Sequence, residues 1–313
     1  MRSRQRRVRE TPTMQLPALS LAAVPGRRAR TLELAKEIED RGYAGIYCPS
    51  FGDGLGLCNA LAHHTETIPF GTSIVNIYAR NVIDYAATAA FIHEVSEGRF
   101  RFGVGVSHAP SNDRLGVNPG KPLGDMREFV ADLRSQQYIG DLPPLVLAAM
   151  RDKMLALSGE LGEGAVFANA ARSAMPAQLE RMPEPAAGDD FFIGCMIPTC
   201  ISDDREAAAA VNRKTLRGYV ALPNYRNYWK AEGYLEEMEA IEAALEAGDR
   251  DAVPGLMTDE WLSDVTLYGS EEEVLAGLQE WWDAGLTPIL VPSSANGGQM
   301  KAFEELFAMF DAA

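Results

Sequence analysis

Side chains that can move a proton or hold a polar ligand follow several short apolar runs of this sequence. His108 comes just after one such run, and Ser50 comes just after another. A third run ends in three hydrogen-bonding side chains, which are Asn76, Tyr78 and Arg80. Among these residue types only histidine has an ordinary pKa near neutrality, which makes His108 the candidate proton donor. Ser50 is a hydroxyl that can relay a proton but is a poor acid by itself.

The overall composition is that of an acidic globular protein. A formal net charge of −15 and a pI near 4.8 argue against a nucleic-acid partner, because phosphate binding requires clustered Lys and Arg. No apolar run approaches the roughly 20 residues of a membrane helix, so we expect no membrane partner. The 4 histidines and 4 cysteines include no C-x-x-C pair, which predicts no metal site and reduced thiols in a cytoplasmic protein.

The first residues have a different composition from the rest. Residues 1–13 carry five arginines against a single acidic residue, Glu10. No apolar segment follows them, so they do not form a secretory signal. We expect a disordered basic tail over 1–13 and one folded domain over 14–313, with a transit peptide or a basic arm as alternatives for the tail.

The remainder alternates between short apolar runs and amphipathic helical stretches. Eight runs have the pattern of buried strands, at 18–24, 45–49, 68–76, 99–106, 144–150, 164–169, 190–201 and 288–292. Parallel strands joined by helical crossovers follow from this alternation, and eight units favour a closed (β/α)8 TIM barrel. Residues 221–269 are predicted to be a helical insertion before the last strand. A doubly wound sheet is the alternative, but the sequence lacks its G-x-G-x-x-G signature.

The polar cluster falls at one end of the predicted barrel. Chemistry in this fold takes place at the carboxyl ends of the strands. The residues to inspect are therefore Pro49 to Phe51, Asn76 to Arg80, Ser107 and His108, Met150 to Lys153, and Asn169. We expect all of them to surround the mouth of the barrel.

At these residues the chain resembles the luciferase-like monooxygenase superfamily, in particular its branch of oxidoreductases that use the deazaflavin coenzyme F420. The matching segments are "AKEIEDRGYAGIYCP" (35–49), "GTSIVNIYARNVIDYAATAAFIHEVSEGRFRFGVGVSHAP" (71–110), "KPLGDMREF" (121–129), "LVLAAMRDKMLALSGELGEGA" (145–165) and "GLTPILVP" (285–292). The likeness spans nearly the whole chain after Met14, and the segment 71–110 is its most specific part.

The resemblance implies a cofactor site around the third strand. Members of the family carry a non-prolyl cis peptide there, which matches the Ser73–Ile74 bond, and this bulge supports the isoalloxazine-like ring. Asn76 is the expected hydrogen-bond partner of the ring edge; capping of the following helix is the other interpretation. Gly105 is expected to permit close backbone approach, and Ser107 to contact the ribityl chain or the phosphate.

The segment "AAMRDKM" (148–154) matches a family segment in which a helix N-terminus faces the cofactor phosphate. Ala149, Met150 and Arg151 are therefore expected to contact the cofactor, since helix N-termini bind anions. Arg151 and Asp152 stand where the family usually has Gly and Pro. Arg151 would favour a phosphate, whereas Asp152 would oppose it.

The second strand departs from the family in its catalytic residue. Relatives have Asp-His or Glu-His after this strand, where this chain has Pro49 and Ser50. The family's histidine mechanism therefore does not transfer, and His108 with Ser50 becomes the expected catalytic pair. His63 and His64 are expected to be ordinary helix residues. Asp53 is expected at the same mouth of the barrel, where it could assist the catalytic residues.

These observations predict an oxidoreductase that transfers a hydride between F420 and an organic small molecule. An FMN-dependent monooxygenase of the same superfamily and a catalytically inactive barrel relative are the alternatives. The pocket is expected to be covered by 107–123 and by 221–269. Tyr219, Tyr225, Tyr228 and Trp229 are expected to form an aromatic wall there, or else to serve as core or dimer contacts. By analogy with relatives, the protein is expected to be a homodimer.

Overall fold

The computed structural model of the protein describes residues 15–312. The predicted tail at 1–13 lies outside them. Ten strands are present in this part of the chain: β1 (Ala18–Ser20), β2 (Gly45–Cys48), β3 (Phe70–Thr72), β4 (Val75–Asn76), β5 (Phe100–Gly105), β6 (Leu145–Ala148), β7 (Gly164–Ala168), β8 (Phe192–Ile201), β9 (Leu267–Gly269) and β10 (Thr287–Ser293).

The strands form a closed parallel barrel, as predicted. Its order is β1-β2-β3-β5-β6-β7-β8-β10, and β10 pairs with both β8 and β1 to close the ring. The third barrel strand is interrupted: β3 pairs with β2 and β5, and after a break at residues 73–74 β4 pairs with β5 again. The (β/α)8 fold is therefore confirmed.

Fourteen α-helices accompany the strands within residues 15–312. They are α1 (Arg28–Asp40), α2 (Gly54–His64), α3 (Val82–Val95), α4 (Ala109–Leu115), α5 (Pro122–Ser135), α6 (Asp152–Leu161), α7 (Met175–Glu180), α8 (Arg205–Val220), α9 (Pro223–Ala231), α10 (Leu235–Glu246), α11 (Val253–Leu256), α12 (Asp259–Val265), α13 (Glu271–Asp283) and α14 (Gln299–Ala312). None of these helices is both long and apolar enough to cross a membrane.

Two apolar layers hold the barrel together. A small cluster fills the barrel interior, formed by Ala18, Tyr47, Val146, Val166 and Ile289. A much larger cluster lies between the strands and the surrounding helices. Each strand is thus buried on both faces, as parallel strands covered by helices require. This explains why the strands appear in the sequence as unbroken apolar runs.

Three predicted boundaries are wrong. The first strand ends at Ser20 rather than at residue 24. The loop predicted over 107–123 contains α4, which has Pro110 in its first turn and ends at Gly116, whose φ of 68° is the left-handed conformation that terminates helices. The insertion predicted as purely helical ends in β9, which pairs with the end of β8.

Candidate active site

The interruption of the third barrel strand places Ile74 at the mouth of the barrel. The Ser73–Ile74 peptide bond is cis, as predicted. The Ser73 N–H donates to the carbonyl of Cys48 at 2.7 Å, and the Thr72 hydroxyl donates to the carbonyl of Gly103 at 2.7 Å. Neighbouring strands on both sides therefore hold the bulge in position.

Gly105 leaves room for the bulge. A Cβ at this position would lie 2.9 Å from Ile74 Cδ1 and 2.9 Å from Ala148 Cβ. Real Cβ atoms do not approach carbon atoms this closely, so a side chain here would displace Ile74 or Ala148. Gly105 thus contributes to the site through the packing beneath Ile74.

An apolar cavity of about 320 Å³ opens above Ile74. It is lined mainly by apolar side chains from the carboxyl ends of β5 to β8, by the start of α6 and by the insertion. The lining residues are Ser73, Ile74, Val106, Ser107, His108, Pro122, Ala148, Ala149, Met150, Arg151, Met154, Val166, Phe167, Ala168, Met196, Asn224 and Tyr225. Most of the predicted site residues are therefore brought together here.

A second recess, the polar pocket, adjoins this apolar cavity. It also measures about 320 Å³ and lies between the β2–α2 loop, the tip of β4 and α4. Its lining residues are Ser50, Gly52, Asp53, Gly54, Leu55, Val75, Asn76, Ala79, Arg80, Tyr85, Ser107, Ser111, Arg114 and Leu115. Ser107 lines both spaces. The predicted catalytic pair is divided, because Ser50 lines the polar pocket and His108 the apolar cavity.

The polar cluster at the end of the third strand is largely occupied by neighbouring helices. The Asn76 amide donates to Asn112 Oδ1 of α4 at 2.9 Å, and Asn76 Oδ1 accepts the Tyr78 N–H at 3.1 Å. The Tyr78 hydroxyl donates to Asp125 of α5, which also accepts the Gly120 N–H at 2.7 Å. Asn76 retains one amide N–H for a ligand. Helix α3 is capped by a different residue, Asn81.

The third member of the cluster, Arg80, is engaged by carboxylates. Its guanidinium lies 3.1 Å from Asp53 Oδ1 and 3.6 Å from Asp84 Oδ2. Asp53 also accepts the Gly56 N–H at 2.9 Å as the N-cap of α2. The sequence therefore located these residues at the mouth, and the structure shows that they join the starts of α2, α4 and α5 to the third strand.

His108 lies between the end of β5 and α4, as the N-cap residue of that helix. Its ring centroid is 5.4 Å from that of Tyr225, across the apolar cavity. Burial lowers the pKa of His108 below its ordinary value because the charged imidazolium loses hydration. The imidazole is therefore mostly neutral at pH 7. The preceding residue, Ser107, has a φ of 57°, a conformation that non-glycine residues adopt mainly at functional sites and tight turns.

The N-terminus of α6 faces the apolar cavity, as the resemblance implied. Ala149, Met150 and Arg151 line the cavity immediately before the first helical residue. Asp152, which the sequence predicted would oppose an anion, is paired: its carboxylate accepts hydrogen bonds from Arg181 at 3.1 and 3.3 Å. The positive charge of Arg181 therefore lies next to the one carboxylate in the first turn of α6.

The predicted aromatic wall serves two purposes. Tyr225 lines the apolar cavity, whereas Tyr228 and Trp229 are fully buried in the core. Trp229 Nε1 donates to the carbonyl of Asn169 at 3.0 Å, and the Tyr228 hydroxyl accepts the Ala171 N–H at 3.1 Å. The two core aromatics thus anchor α9, and through it Tyr225, to the loop after β7.

Several lining residues were not predicted from the sequence. Met154 lies in the first turn of α6, three residues after the N-cap residue Arg151, so its closeness to the predicted segment was an available signal. Met196 lies in the middle of the long strand β8, where an apolar run does not show which residues face the interior. Asn224 comes from the insertion, whose position over the mouth depends on tertiary packing.

Other candidate residues lie away from the mouth. His63 and His64 are exposed at the C-terminal end of α2, as expected of ordinary helix residues. All four cysteines are buried and free within residues 15–312. The described part of the chain also contains no group of three or more His, Cys, Asp or Glu residues arranged to hold a metal ion.

A closed parallel barrel with an apolar cavity at the carboxyl ends of its strands defines a TIM-barrel enzyme. The chain belongs to the luciferase-like monooxygenase family, whose profile matches residues 11–288. This protein is an oxidoreductase of that family.

The most similar relatives include archaeal reductases. The chain is 24% identical over 300 residues to the 5,10-methylenetetrahydromethanopterin reductase of Methanolobus tindarius, covering 86% of this chain and 92% of that protein. It is 26% identical over 278 residues to the reductase of the same name from Archaeoglobus fulgidus, covering 78% of this chain and 82% of that protein.

Solved structures share the fold. The coenzyme F420 dependent tetrahydromethanopterin reductase of Methanopyrus kandleri superimposes with a TM-score of 0.71 at 19% identity, covering 93% of this chain and 97% of that one. An F420-dependent secondary alcohol dehydrogenase in complex with an F420-acetone adduct gives a TM-score of 0.70 at 18% identity, covering 95% and 99%.

Proposed function

We propose that the protein transfers a hydride between coenzyme F420 and an organic small molecule bound in the apolar cavity. One arrangement of structural features supports this proposal. The Ile74 bulge, the Ser107 turn and the N-terminus of α6 all meet at that cavity. They provide an apolar support for a flat ring, hydroxyl groups at its edge and a terminus suited to a phosphate.

The residues present fit such a cofactor. A volume near 320 Å³ lies within the range of about 300–1,000 Å³ usual for ligand pockets. The Ser73 and Ser107 hydroxyls have no hydrogen-bond partner within residues 15–312 and would contact the ring edge and ribityl chain. The N–H groups of Asp152 and Lys153, which have no partner among residues 15–312, would hold the phosphate together with Arg151. When bound, F420 supplies the hydride, and the cavity walls orient the substrate against it.

Two side chains are proposed to handle the proton. His108 lines the apolar cavity. Among the lining residues, it is the side chain whose ordinary pKa lies nearest to neutral pH. Ser50, on the adjoining polar pocket, would relay a proton through water. Because burial lowers the pKa of His108, its acidic form is scarce at pH 7, and its contribution as a donor increases as the pH falls.

The relatives support F420 as the cofactor. The structural relative from Methanopyrus kandleri is described as coenzyme F420 dependent, and the alcohol dehydrogenase was solved with an F420 adduct. FMN is the alternative, supported by the oxygenating constituent of a 3,6-diketocamphane monooxygenase solved with FMN, which superimposes with a TM-score of 0.61 at 15% identity. That alternative would make the protein an oxygen-activating monooxygenase.

A binding titration distinguishes these cofactors. The purified protein is titrated with F420 and with FMN, and the quenching of each fluorophore gives its dissociation constant. We expect saturable F420 binding at least tenfold tighter than FMN binding. Tighter FMN binding would favour the monooxygenase, and binding of neither would favour the catalytically inactive relative.

We also propose a homodimer that assembles through α3. Ile83 and Phe91 are 59% and 51% exposed, and with Ala87 they form an apolar stripe along that helix. Light scattering should give twice the chain mass of 34.1 kDa, and Phe91→Glu should give the monomer mass. A monomeric wild-type protein would contradict this.

We propose a cytoplasmic location, since four buried free thiols suit a reducing compartment. Cell fractionation would test it directly. Recovery of the protein outside the cytoplasm would contradict it.

A further inference from the structure

The polar pocket contains more hydrogen-bond donors than the protein uses. The hydroxyls of Ser50, Ser107 and Ser111 have no hydrogen-bond partner within residues 15–312. Arg114 donates only its Nε, to the carbonyl of Pro110 at 3.1 Å, and its two terminal nitrogens contact no acceptor in that part of the chain. Three hydroxyls and most of a guanidinium therefore line a recess of about 320 Å³ with their donors free.

The charges around the pocket also favour an anion. Arg80 and Arg114 line it together with one carboxylate, Asp53. Asp53 and Asp84 both contact Arg80, so these carboxylates are already engaged by one cation. Arg114 makes no ion pair with any described residue. These four charges sum to zero, so what the pocket offers an anion is the guanidinium of Arg114, on a chain whose formal net charge is −15.

The fold keeps these donors in place. Ser111 and Arg114 are three residues apart on α4 and so share one side of that helix. The buried Asn112 between them is tied to Asn76 and donates to the carbonyl of Val106 at 3.1 Å, which fixes α4 against the barrel. The backbone that carries Ser111 and Arg114 is therefore fixed before a ligand arrives, which reduces the entropy lost on binding.

We propose that the polar pocket binds a carboxylate or phosphate group of a ligand whose remaining part lies in the apolar cavity. The connection is Ser107, which lines both spaces. An arginine fork with neighbouring hydroxyls is the donor set that planar carboxylates and phosphates prefer. The group belongs either to an acidic substrate or to the part of the anionic tail of F420 that lies beyond the phosphate assigned to α6; this second part of the inference rests on the proposed function.

The first experiment tests the pocket without any cofactor. Inorganic phosphate and succinate are each titrated into the cofactor-free protein by calorimetry at low ionic strength. The variants are Arg114→Gln and the matched control Arg217→Gln, which removes the same charge from an exposed α8 residue whose contacts are 3.4 Å or longer. We expect Arg114→Gln to weaken binding of at least one anion tenfold or more, with Arg217→Gln within twofold of wild type.

The second experiment identifies the source of the anionic group. Dissociation constants are measured for F420 and for its deazaflavin-ribityl core, which lacks the anionic tail. If the tail occupies the pocket, Arg114→Gln weakens F420 binding about tenfold and leaves the core within twofold. If a substrate occupies it, both cofactor constants stay within twofold, while Arg114→Gln still weakens phosphate or succinate binding to the F420-saturated protein.

The inference is overturned if Arg114→Gln changes neither anion binding nor the F420-to-core affinity ratio by more than Arg217→Gln does. Failure of the proposed function would give a different set of binding results. In that case wild-type protein binds neither F420 nor its core, and the phosphate and succinate titrations still decide whether the pocket is an anion site.

Discussion

Asn76 and Asn112 are joined by a side-chain hydrogen bond of 2.9 Å that connects the tip of the third barrel strand to α4. Both residues are buried, at 7% and 3% exposure. The bond therefore lies beside the polar pocket, which Asn76 lines, and sets the position of α4. Because the Asn76 side chain is bonded to Asn112 and to the Tyr78 N–H, it affects the site largely through these two neighbours.

Asn76→Ala should destabilise the protein as well as weaken F420 binding. Removing the donor leaves the buried Asn112 Oδ1 without a partner, which costs about 1–3 kcal/mol of unfolding free energy. Chemical denaturation should show this loss, and fluorescence titration should show F420 binding weaker by about 1–2 kcal/mol. The double variant with Asn112→Ala should lose less than the sum of the two single losses. Strict additivity would contradict the coupling.

Gly105→Ala should damage the cofactor site while a comparable change elsewhere does not. The new Cβ would meet Ile74 and Ala148 at 2.9 Å and displace the bulge. We expect F420 affinity to fall at least tenfold and the melting temperature to drop. The control is Gly124→Ala in α5, where an added Cβ meets nothing within 4 Å. Unchanged F420 binding by Gly105→Ala would mean that Ile74 does not support the ring.

His108→Gln should lower turnover and leave F420 affinity nearly unchanged. A positioned acid contributes about 10²- to 10⁴-fold, so the loss should fall within that range once a substrate is found. The dependence on His108 should grow toward acid pH, because its pKa lies below the ordinary value. Proton NMR can check this, since the chain has 4 histidines and the resonance missing in the variant identifies His108. Turnover equal to wild type at every pH would make the histidine a bystander.

Ser107→Ala should weaken F420 binding before it affects turnover. Loss of one hydroxyl contact corresponds to about 0.5–1.5 kcal/mol, or roughly two- to tenfold in affinity. Ser135→Ala, at the exposed end of α5, is the matched control and should bind as wild type does. Equal affinities for the two variants would remove Ser107 from the cofactor site.

Glu39 provides a stability prediction independent of the cofactor. Its carboxylate accepts three backbone N–H groups, from Glu66, Thr67 and Ile68, at 2.7 to 3.0 Å. Burial raises the pKa of Glu39, but these bonds and the one from Lys36 outweigh it and lower the pKa to about 2. The folded-state value is below the unfolded value of about 4.3, so the stabilisation is complete above that pH and is lost as the pH falls toward 2.

Glu39→Gln should therefore lower the free energy of unfolding by on the order of 2 kcal/mol at pH 7. The difference from wild type should shrink between about pH 5 and pH 2 in denaturation experiments. Glu33→Gln, an exposed position paired only with Arg30, should change stability by less than about 0.5 kcal/mol. A pH-independent difference for Glu39→Gln would show that the carboxylate charge is not responsible.

The barrel was predictable because strand burial and helix periodicity are local properties of the sequence. The runs at 45–49 and 164–169 match β2 and β7 within one residue. The short β9 was not predictable in this way, since three residues carry no periodicity and pair with β8 only because α8 and α12 bring them there.

The sequence predicted where the site lies in the fold, but it predicted few of the contacts that its residues make. The rule that barrel chemistry lies at strand ends placed Asn76, His108 and Arg151 near the mouth. It did not show that Asn112 would occupy the Asn76 amide, or that Arg181 would neutralise Asp152, because those partners are 36 and 29 residues distant in sequence. The division between an apolar cavity and a polar pocket likewise arises from α4, which the sequence suggested was a loop.

The most direct test of the central claim is a crystal structure of the protein with F420. We expect the deazaflavin ring in the apolar cavity, resting on Ile74, with the ribityl chain near Ser107 and the phosphate at the N-terminus of α6. Density for the ring anywhere else on the barrel, with that cavity free of cofactor, would contradict it.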